Sequence, residues 1–222
     1  MTYEEYFGDW LKAIDTQELN KVNNILNNLY CKTKICPDFK NVYKAFNLCP
    51  YNNLKIVFLG MDPYPQKGVA TGILFGNKDD SNLSPSLKII KEACINFEIP
   101  HKSIIFDPTL ESWAKQGILM INAALTVEMN KTGSHTMLWR PFISKLLTNL
   151  SNNKTGIIYV LFGSLANTFS PYINSKYNHI IKVNHPAYYA RTHTKMPYDL
   201  FPNISKLSER INGEPIIWYK EY

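Results

Sequence analysis

The sequence lacks any apolar run long enough to span a membrane. Its longest runs, such as 157–162, fall well short of the roughly 18 residues that a span requires. The amino terminus, MTYEEYFGDW, is acidic and aromatic, whereas a secretory signal is basic and then apolar. Only four cysteines occur in 222 residues, and their spacing fits neither a zinc nor an iron–sulfur pattern. We therefore expect free thiols in a reducing cytoplasm, with no membrane segment and no bound metal.

Acidic residues are absent from one long stretch. Residues 129–198 contain eight basic residues and no acidic one, whereas the 18 acidic residues all lie elsewhere. Two interpretations are open: a surface that meets a polyanion such as nucleic acid, or a buried, strand-rich segment in which charge of either sign is scarce. A membrane surface is less favoured, because no basic amphipathic helix is evident.

Four short apolar runs alternate with helical patterns along the chain. The runs predict strands at 55–59, 118–121, 157–162 and 179–183. Helices are predicted at 2–14, 16–29, 37–46, 84–94, around 113 and at 142–150. Strands that are apolar throughout and alternate with helices favour a mainly parallel sheet covered on both faces. With no repeat and no linker-like stretch, the sequence predicts one α/β domain over residues 1–222.

Polar residues follow the predicted strands. Asp62 lies in GMDPYP after the first strand, Asn122 ends the second, 163–164 (Gly-Ser) follow the third, and His185 follows the fourth. Because open α/β sheets bind ligands beyond the carboxyl ends of their strands, these groups are expected to converge on one site. Each has an ordinary structural alternative: Asp62 as a turn residue, Asn122 as a helix cap and His185 as a buried histidine. Their joint occurrence at four strand ends favours a site.

The sequence has no phosphate-binding loop, dinucleotide fingerprint, serine-hydrolase elbow or zinc-protease motif. Five of its segments instead resemble the successive motifs of the family 1 uracil-DNA glycosylases: GMDPYPQKGVATGILF, LSPSL, LESWAKQGILMINAALTV, FGSLA and HPAYYARTH. The resemblance runs in order from about 54 to 218. The ending EPIIWYKEY and Pro65 resemble the poxvirus branch, whereas WAKQGILMIN resembles the bacterial form.

The resemblance implies a monomer with three α/β/α layers around a four-stranded parallel sheet. The implied reaction is hydrolysis of the N-glycosidic bond of deoxyuridine in DNA, without metal or other cofactor, after the base is flipped into a pocket. The implied partner is uracil-containing DNA, single- or double-stranded, and a proteinaceous inhibitor or a polymerase are further partners. The implied location is the cytoplasm of a bacterium or a virus-infected cell, with the nucleus open for a eukaryotic source. The alternative function is a DNA-binding subunit that tethers a polymerase, with weak or lost glycosylase activity.

The resemblance also assigns residues inside the pocket. Asp62 would be the ionised catalytic aspartate that orients water and stabilises the cationic sugar. His185 would be neutral and donate a hydrogen bond to uracil O2 as the base leaves. Asn122 would bind the polar edge of uracil, Phe75 would stack on the base, and Tyr64 would leave no room for the methyl group of thymine.

Three loops are implied to hold DNA. They contain, in chain order, Ser84, Pro85 and Ser86; Gly163 and Ser164; and Pro186, Ala187 and Tyr189. Tyr189 stands where the family has the leucine that enters the vacated base stack. Met61, a substrate-binding position, replaces a glutamine, Pro65 replaces a histidine, and Ala187 replaces a serine. We expect activity to survive these departures, because Asp62, Asn122 and His185 remain.

Overall fold

The computed structural model of the chain describes residues 2–222. Within that range the α-helices are α1 (Tyr3–Phe7), α2 (Thr16–Lys32), α3 (Lys44–Leu48), α4 (Pro85–Ile95), α5 (Glu111–Lys115), α6 (Thr136–Asn153), α7 (Gly163–Asn167), α8 (Pro186–Thr192) and α9 (Leu200–Asn212). The strands are β1 (Ile35–Cys36), β2 (Ile56–Gly60), β3 (Ile104–Ile105), β4 (Ile118–Asn122), β5 (Val127–Glu128), β6 (Ile158–Phe162), β7 (His179–Val183) and β8 (Lys220–Glu221). Short 3-10 helices cover Gly8–Lys12, Phe39–Asn41, Tyr51–Asn53 and Ser170–Tyr172.

Four of the strands form a central parallel sheet in the order β4-β2-β6-β7. The predicted α/β fold with a four-stranded parallel sheet is confirmed, and each of these strands begins and ends within one residue of its predicted bounds. The register pairs Gly60, the last residue of β2, with Asn122, the last residue of β4. The carboxyl ends of all four strands consequently lie at one edge of the sheet, where ligands of such folds bind.

Apolar side chains cover both faces of the sheet at β2, β4 and β6, whereas the edge strand β7 exposes His179 and Lys182. Along β2, Val57 and Leu59 belong to a core that includes residues of α2 and α6, while Ile56 and Phe58 belong to a second core with residues of α4, α5 and α9. Each of the strands β2, β4 and β6 has five residues, and all of them are buried. The sheet is thus the middle of three layers, and its strand ends are held by packing on both sides.

The helix predicted at 16–29 forms α2, whereas those predicted at 2–14 and 37–46 are interrupted in the structure. The capping box of the first helix is present: Glu5 N–H donates to Thr2 Oγ1 at 3.2 Å, and Thr2 N–H donates to the Glu5 carboxylate at 2.8 Å. The α-helix nevertheless ends at Phe7 and continues as a 3-10 helix. The helix predicted at 37–46 is replaced by the 3-10 helix Phe39–Asn41 and by α3. A reason is the Asn41 carbonyl, which lies so close to Gly72 that a Cβ there would be 1.9 Å from its oxygen.

Two small antiparallel sheets lie outside the central one. β1 pairs with β5, and β3 pairs with β8. The first of these supports the loop after β2, because Asn130 N–H donates to the Pro65 carbonyl at 3.0 Å and the Cys36 thiol lies 3.6 Å from the same oxygen. Across residues 2–222, no helix combines the length and apolarity needed to cross a membrane.

Candidate active site

A cavity of about 270 Å³ opens at the carboxyl edge of the central sheet. We call it the strand-end pocket. Eight residues predicted from the sequence line it: Met61, Asp62, Tyr64, Phe75, Ser86, Asn122, His185 and Ala187. Three strands position the polar groups: β2 leads into the segment with Asp62, β4 ends on Asn122, and β7 leads into His185. The structure therefore brings the predicted carboxylate, amide and imidazole to one pocket, although they are far apart in sequence.

Asp62 is half-buried and is fixed by one backbone hydrogen bond. Gly133 N–H donates to Asp62 Oδ2 at 2.6 Å from the loop between β5 and α6. Burial raises the pKa of the Asp62 carboxyl, and the hydrogen bond from Gly133 opposes this rise only in part. The free oxygen of the carboxylate thus faces a poorly solvated pocket, where its interaction with a developing positive charge is stronger than in water.

His185 is neutral over the physiological pH range. Burial lowers the pKa of its imidazole to about 4. The backbone N–H of Ala187 donates to His185 Nδ1 at 3.2 Å, so the proton of the neutral ring resides on Nε2. Gly163, the first residue of α7, packs against this side chain: a Cβ at Gly163 would lie 3.0 Å from His185 Cβ. The arrangement leaves Nε2–H as a hydrogen-bond donor on a ring of fixed orientation.

Asn122 has unused hydrogen-bonding capacity. Its side chain is 8% exposed, and its Oδ1 has no partner among residues 2–222. The amide packs against β2, because a Cβ at Gly60 would lie 2.8 Å from Asn122 Oδ1. A buried amide oxygen without a partner costs free energy that a ligand with a matching donor group would recover.

Phe75 adopts a backbone conformation that residues other than glycine rarely take. Its φ is 63°, in the left-handed region. The loop that imposes it is anchored to the sheet by Leu74 N–H, which donates to the Met120 carbonyl at 3.1 Å. The Phe75 ring meets the rings of Phe162 and His185 edge to face, at centroid distances of 5.2 and 5.4 Å. Strain of this kind is retained where the surrounding structure enforces it, and it commonly marks a functional position.

Tyr64 is bonded to the loop that opens α4. Its hydroxyl lies 2.6 Å from Ser84 Oγ, and burial raises the pKa of the phenol to about 12. Ser84 also caps α4 by accepting from Leu87 N–H at 3.3 Å. The sequence predicted the hydroxyls of this loop as phosphate donors, but Ser84 and Ser86 are buried while Pro85 is exposed. Ser84 therefore also fixes one wall of the strand-end pocket.

The structure differs from the sequence prediction at Tyr189. This residue was expected to project as a wedge, yet its side chain is 9% exposed and belongs to the core that contains Phe162. Tyr188 is 40% exposed and meets the Tyr189 ring edge to face at 5.4 Å. Both lie on α8, where successive residues point about 100° apart, so only one of the two can face the core. Ser164, by contrast, is exposed at the sheet edge as predicted.

The acid-free stretch does not form one uncompensated basic surface. Lys131 pairs with Glu128, Lys145 with Asp15 and Glu18, and Lys195 with Glu98, so three of its cations meet acids from outside the stretch. Lys154 lies over the ring of Tyr51, next to the amino ends of the strands and away from the pocket. The alternative interpretation, a buried segment with little charge, describes β6 and much of α6. The other five cations have no carboxylate oxygen within 4.0 Å among residues 2–222, so the positive charge of this stretch is compensated only in part.

Groups between β5 and α6 support the pocket, and the sequence did not predict them. Gly133 is 71 residues from the carboxylate that it holds. Just after it, His135 Nδ1 lies 2.8 Å from Thr126 Oγ1, which also accepts from Trp139 Nε1–H at 2.7 Å. These three side chains are buried and fix the two ends of the loop that carries Gly133. No local pattern could have shown this role, because the contacts join segments that only the fold brings together.

Comparison with known proteins identifies the class to which this fold and site belong. The sequence profile described as the uracil DNA glycosylase superfamily matches residues 46–206. The uracil-DNA glycosylase of Campylobacter jejuni is 34% identical over 97% of this chain and 89% of its own length. That of Aliarcobacter butzleri is 31% identical over 94% of this chain and 99% of its own length. This chain therefore belongs to the uracil DNA glycosylase superfamily.

A solved structure agrees with this result. A variant of mimivirus UNG in complex with UGI superimposes with a TM-score of 0.79 and 26% identity, covering 90% of this chain and 82% of that one. The uracil-DNA glycosylase family and the fold that the sequence motifs implied are thereby confirmed.

Proposed function

We propose that this protein hydrolyses the N-glycosidic bond between uracil and deoxyribose in DNA, leaving an abasic site. The observation that carries the proposal is the strand-end pocket, in which Asp62, Asn122 and His185 surround one cavity of about 270 Å³. Its size suits a single base rather than a base pair, so the target nucleotide would have to leave the base stack. The curated relatives over nearly the whole chain bear the name uracil-DNA glycosylase, which supports the same activity.

Asp62 is proposed as the ionised residue that works on the sugar. As the bond from C1′ to the base breaks, positive charge develops on the sugar, and water adds at C1′. A carboxylate in a poorly solvated pocket stabilises that charge and orients the water, whose proton it can accept. The hydrogen bond from Gly133 holds the carboxylate in one orientation for this role.

His185 is proposed as the residue that works on the leaving base. The departing uracil carries negative charge that is shared by O2, and Nε2–H of the neutral imidazole can donate to that oxygen. Because burial holds the pKa at about 4, the ring can donate at neutral pH without carrying a charge that would repel the cationic sugar. A preorganised donor of this kind typically contributes about 2.7–4 kcal/mol to the transition state.

Three residues are proposed to select uracil. Asn122 offers a donor and an acceptor to the polar edge of the base, and cytosine would leave these groups mismatched. Phe75 supplies a ring for stacking, and Tyr64 closes the side at which thymine carries its methyl group. Tyr64 suits this role because its hydroxyl is bonded to Ser84, so the ring cannot swing away freely.

The direct test measures base release. The purified protein is incubated, with EDTA present, with single-stranded oligonucleotides that carry uracil, thymine or cytosine at one position, and abasic sites are then cleaved with alkali. We expect strand breaks at uracil alone. Asp62→Asn should abolish or greatly slow them, whereas Asp9→Asn should not, because Asp9 is exposed and its contacts with Lys12 and Asn52 lie at the surface.

Binding of DNA without release of any base would contradict the proposal and favour the alternative, a subunit that tethers a polymerase. Release of thymine at a rate similar to that of uracil would contradict the assignment of Tyr64 while leaving the glycosylase activity in place.

We further propose assignments that are finer than the superfamily. The motifs around Asp62 and Asn122 support family 1, and base flipping follows from the size of the pocket. A monomer is proposed from the resemblance of the motifs, and a reducing cytoplasm because all four cysteines are free thiols, three of them buried. The complex of mimivirus UNG with UGI supports a proteinaceous inhibitor as a partner of this chain.

A further inference from the structure

A second cleft, of about 600 Å³, lies beside the strand-end pocket. The two share Ala70 and Thr71 in their walls. The cleft is formed by the segment between α2 and α3 and by the loops around residues 67 and 78. We call it the lysine cleft, after five lysines and one aromatic residue in its lining: Lys34, Phe39, Lys40, Lys44, Lys67 and Lys78.

Positive charge dominates this cleft. Five lysines line it, against two acids, Asp38 and Glu111. Glu111 is occupied by Lys44, whose Nζ lies 2.7 Å from its carboxylate. The other four lysines are exposed, and within residues 2–222 none has a carboxylate oxygen within 4.0 Å. Four of the five lysines that line the lysine cleft thus carry positive charge without a close carboxylate partner.

An aromatic ring lies among these charges. Phe39 is 50% exposed, although it is a large apolar residue. Its ring meets Tyr30 edge to face at 5.4 Å, and the Tyr30 hydroxyl donates to the Pro37 carbonyl at 2.7 Å. The ring is therefore supported from one side and open on another. A supported, exposed ring beside several lysines is the combination with which proteins bind unpaired nucleic acid: bases stack on the ring and phosphates meet the ammonium groups.

We infer that the lysine cleft binds the unpaired DNA strand that continues from the nucleotide in the strand-end pocket. This inference rests on the proposed function. Lys34, Lys40, Lys67 and Lys78 would contact successive phosphates, and a base next to the extruded one would stack on Phe39. In a duplex each neighbouring base is already stacked and paired, so the ring gives an advantage to single-stranded DNA.

The test compares binding of single-stranded and duplex DNA, both free of uracil so that catalysis is not needed. For Phe39→Ala we expect roughly 5- to 100-fold weaker binding of single-stranded DNA with an unchanged salt slope, because a base stacked on an aromatic ring is lost. For the fourfold variant K34Q/K40Q/K67Q/K78Q we expect the slope of log affinity against log salt to become shallower by about 0.7 per lost phosphate contact. Duplex affinity should change much less in both variants.

A matched variant, K102Q/K176Q/K206Q/K220Q, removes the same net charge from exposed lysines that do not line the lysine cleft. It should keep the single-strand affinity to within about threefold, because distant charges are screened. Denaturant unfolding of each variant, with a cooperative transition like that of the wild type, confirms that it folds.

Equal losses for the fourfold variant and its matched control would overturn the inference, as would equal losses on single-stranded and duplex DNA. Unchanged binding of both DNAs by Phe39→Ala and by the fourfold variant would also overturn it and would point to an acidic protein as the occupant. A failure of the proposed function would look different: wild-type protein would release no uracil from single-stranded or duplex DNA.

Discussion

The strand-end pocket and the lysine cleft share a wall but are built in opposite ways. The pocket is small, its polar groups are largely buried, and its residues are fixed by the sheet, by Gly133 and by a strained backbone at Phe75. The cleft is about twice as large, and its cationic side chains are exposed. Bond cleavage requires groups that are preorganised and poorly solvated, whereas binding of a polyanion requires only exposed positive charge. The comparison predicts that changes in the pocket alter rate and selectivity, while changes in the cleft alter affinity and its salt dependence.

The largest effect is expected for Asp62→Asn. The substitution keeps the shape of the side chain and removes its negative charge, so kcat for uracil release should fall roughly 100- to 10,000-fold. The affinity for uracil-containing DNA should change little, because the lysine cleft is untouched. Single-turnover release and equilibrium binding would be measured on the same oligonucleotide. A large loss of affinity with unchanged kcat would contradict the assignment of catalytic rate to the strand-end pocket and of DNA affinity to the lysine cleft.

His185→Gln should have the next largest effect. It removes the Nε2–H donor aimed at the leaving base, and a loss of roughly 100- to 1,000-fold in kcat is expected. His193→Gln, at the carboxyl-terminal cap of the same helix α8, provides the control. Comparable losses in both variants would mean that α8 is disturbed, and that the donor at position 185 is not the cause.

The pH dependence of kcat sharpens the same assignment. Asp62 has a raised pKa and must be ionised, so activity should be lost as the pH falls through that pKa and regained as it rises. His185 is already neutral well above a pKa of about 4, so no step is expected near pH 6.5, where an ordinary histidine titrates. A profile of kcat from pH 4 to 9 tests this. A rise in activity with protonation near pH 6.5 would require a charged imidazole and would contradict the mechanism.

Tyr64→Ala should change selectivity more than rate. Removal of the ring opens space for a methyl group, so release of thymine should become detectable while release of uracil persists at a reduced rate. Tyr64→Phe is the control: it keeps the ring, loses the hydrogen bond to Ser84, and should still reject thymine. If Tyr64→Ala rejects thymine as strictly as the wild type, another group must exclude the methyl.

The smallest effect is expected for Thr126→Val, beside the pocket. It removes the hydroxyl that accepts from Trp139 and bonds to His135, so the free energy of unfolding should fall by about 1–3 kcal/mol. Denaturant titration measures this change, and Thr126→Ser should restore most of it. Thr148→Val, which loses a single exposed hydrogen bond, should cost less.

Much of the fold could be predicted because its signals are local. The three strands β2, β4 and β6 are almost entirely apolar, since both faces of the sheet are covered there, and the ends of all four central strands fall within one residue of prediction. The capping box at Thr2 could likewise be predicted, because it involves only Thr2 and the nearby Glu5. The broken helix at 37–46 could not be predicted in this way, because the close approach of Asn41 to Gly72 depends on distant segments.

The candidate site shows the same limit. The pocket residues stand at strand ends in recognisable motifs, so their convergence could be expected. The burial of Tyr189 depends on how α8 packs on the core, and the net charge of the 129–198 stretch depends on acids such as Glu18 and Glu98 that lie outside it. The lysine cleft could not be predicted from charge along the sequence, because its lysines come from a part of the chain in which basic and acidic residues are balanced.

The hydrogen bond between Tyr64 and Ser84 links the ring that we propose to select the base to the first turn of α4. Any movement of the first turn of α4 towards a phosphate would be transmitted to the ring that screens the incoming pyrimidine. A tighter hold on DNA and a stricter choice of base cannot then evolve independently at these two positions.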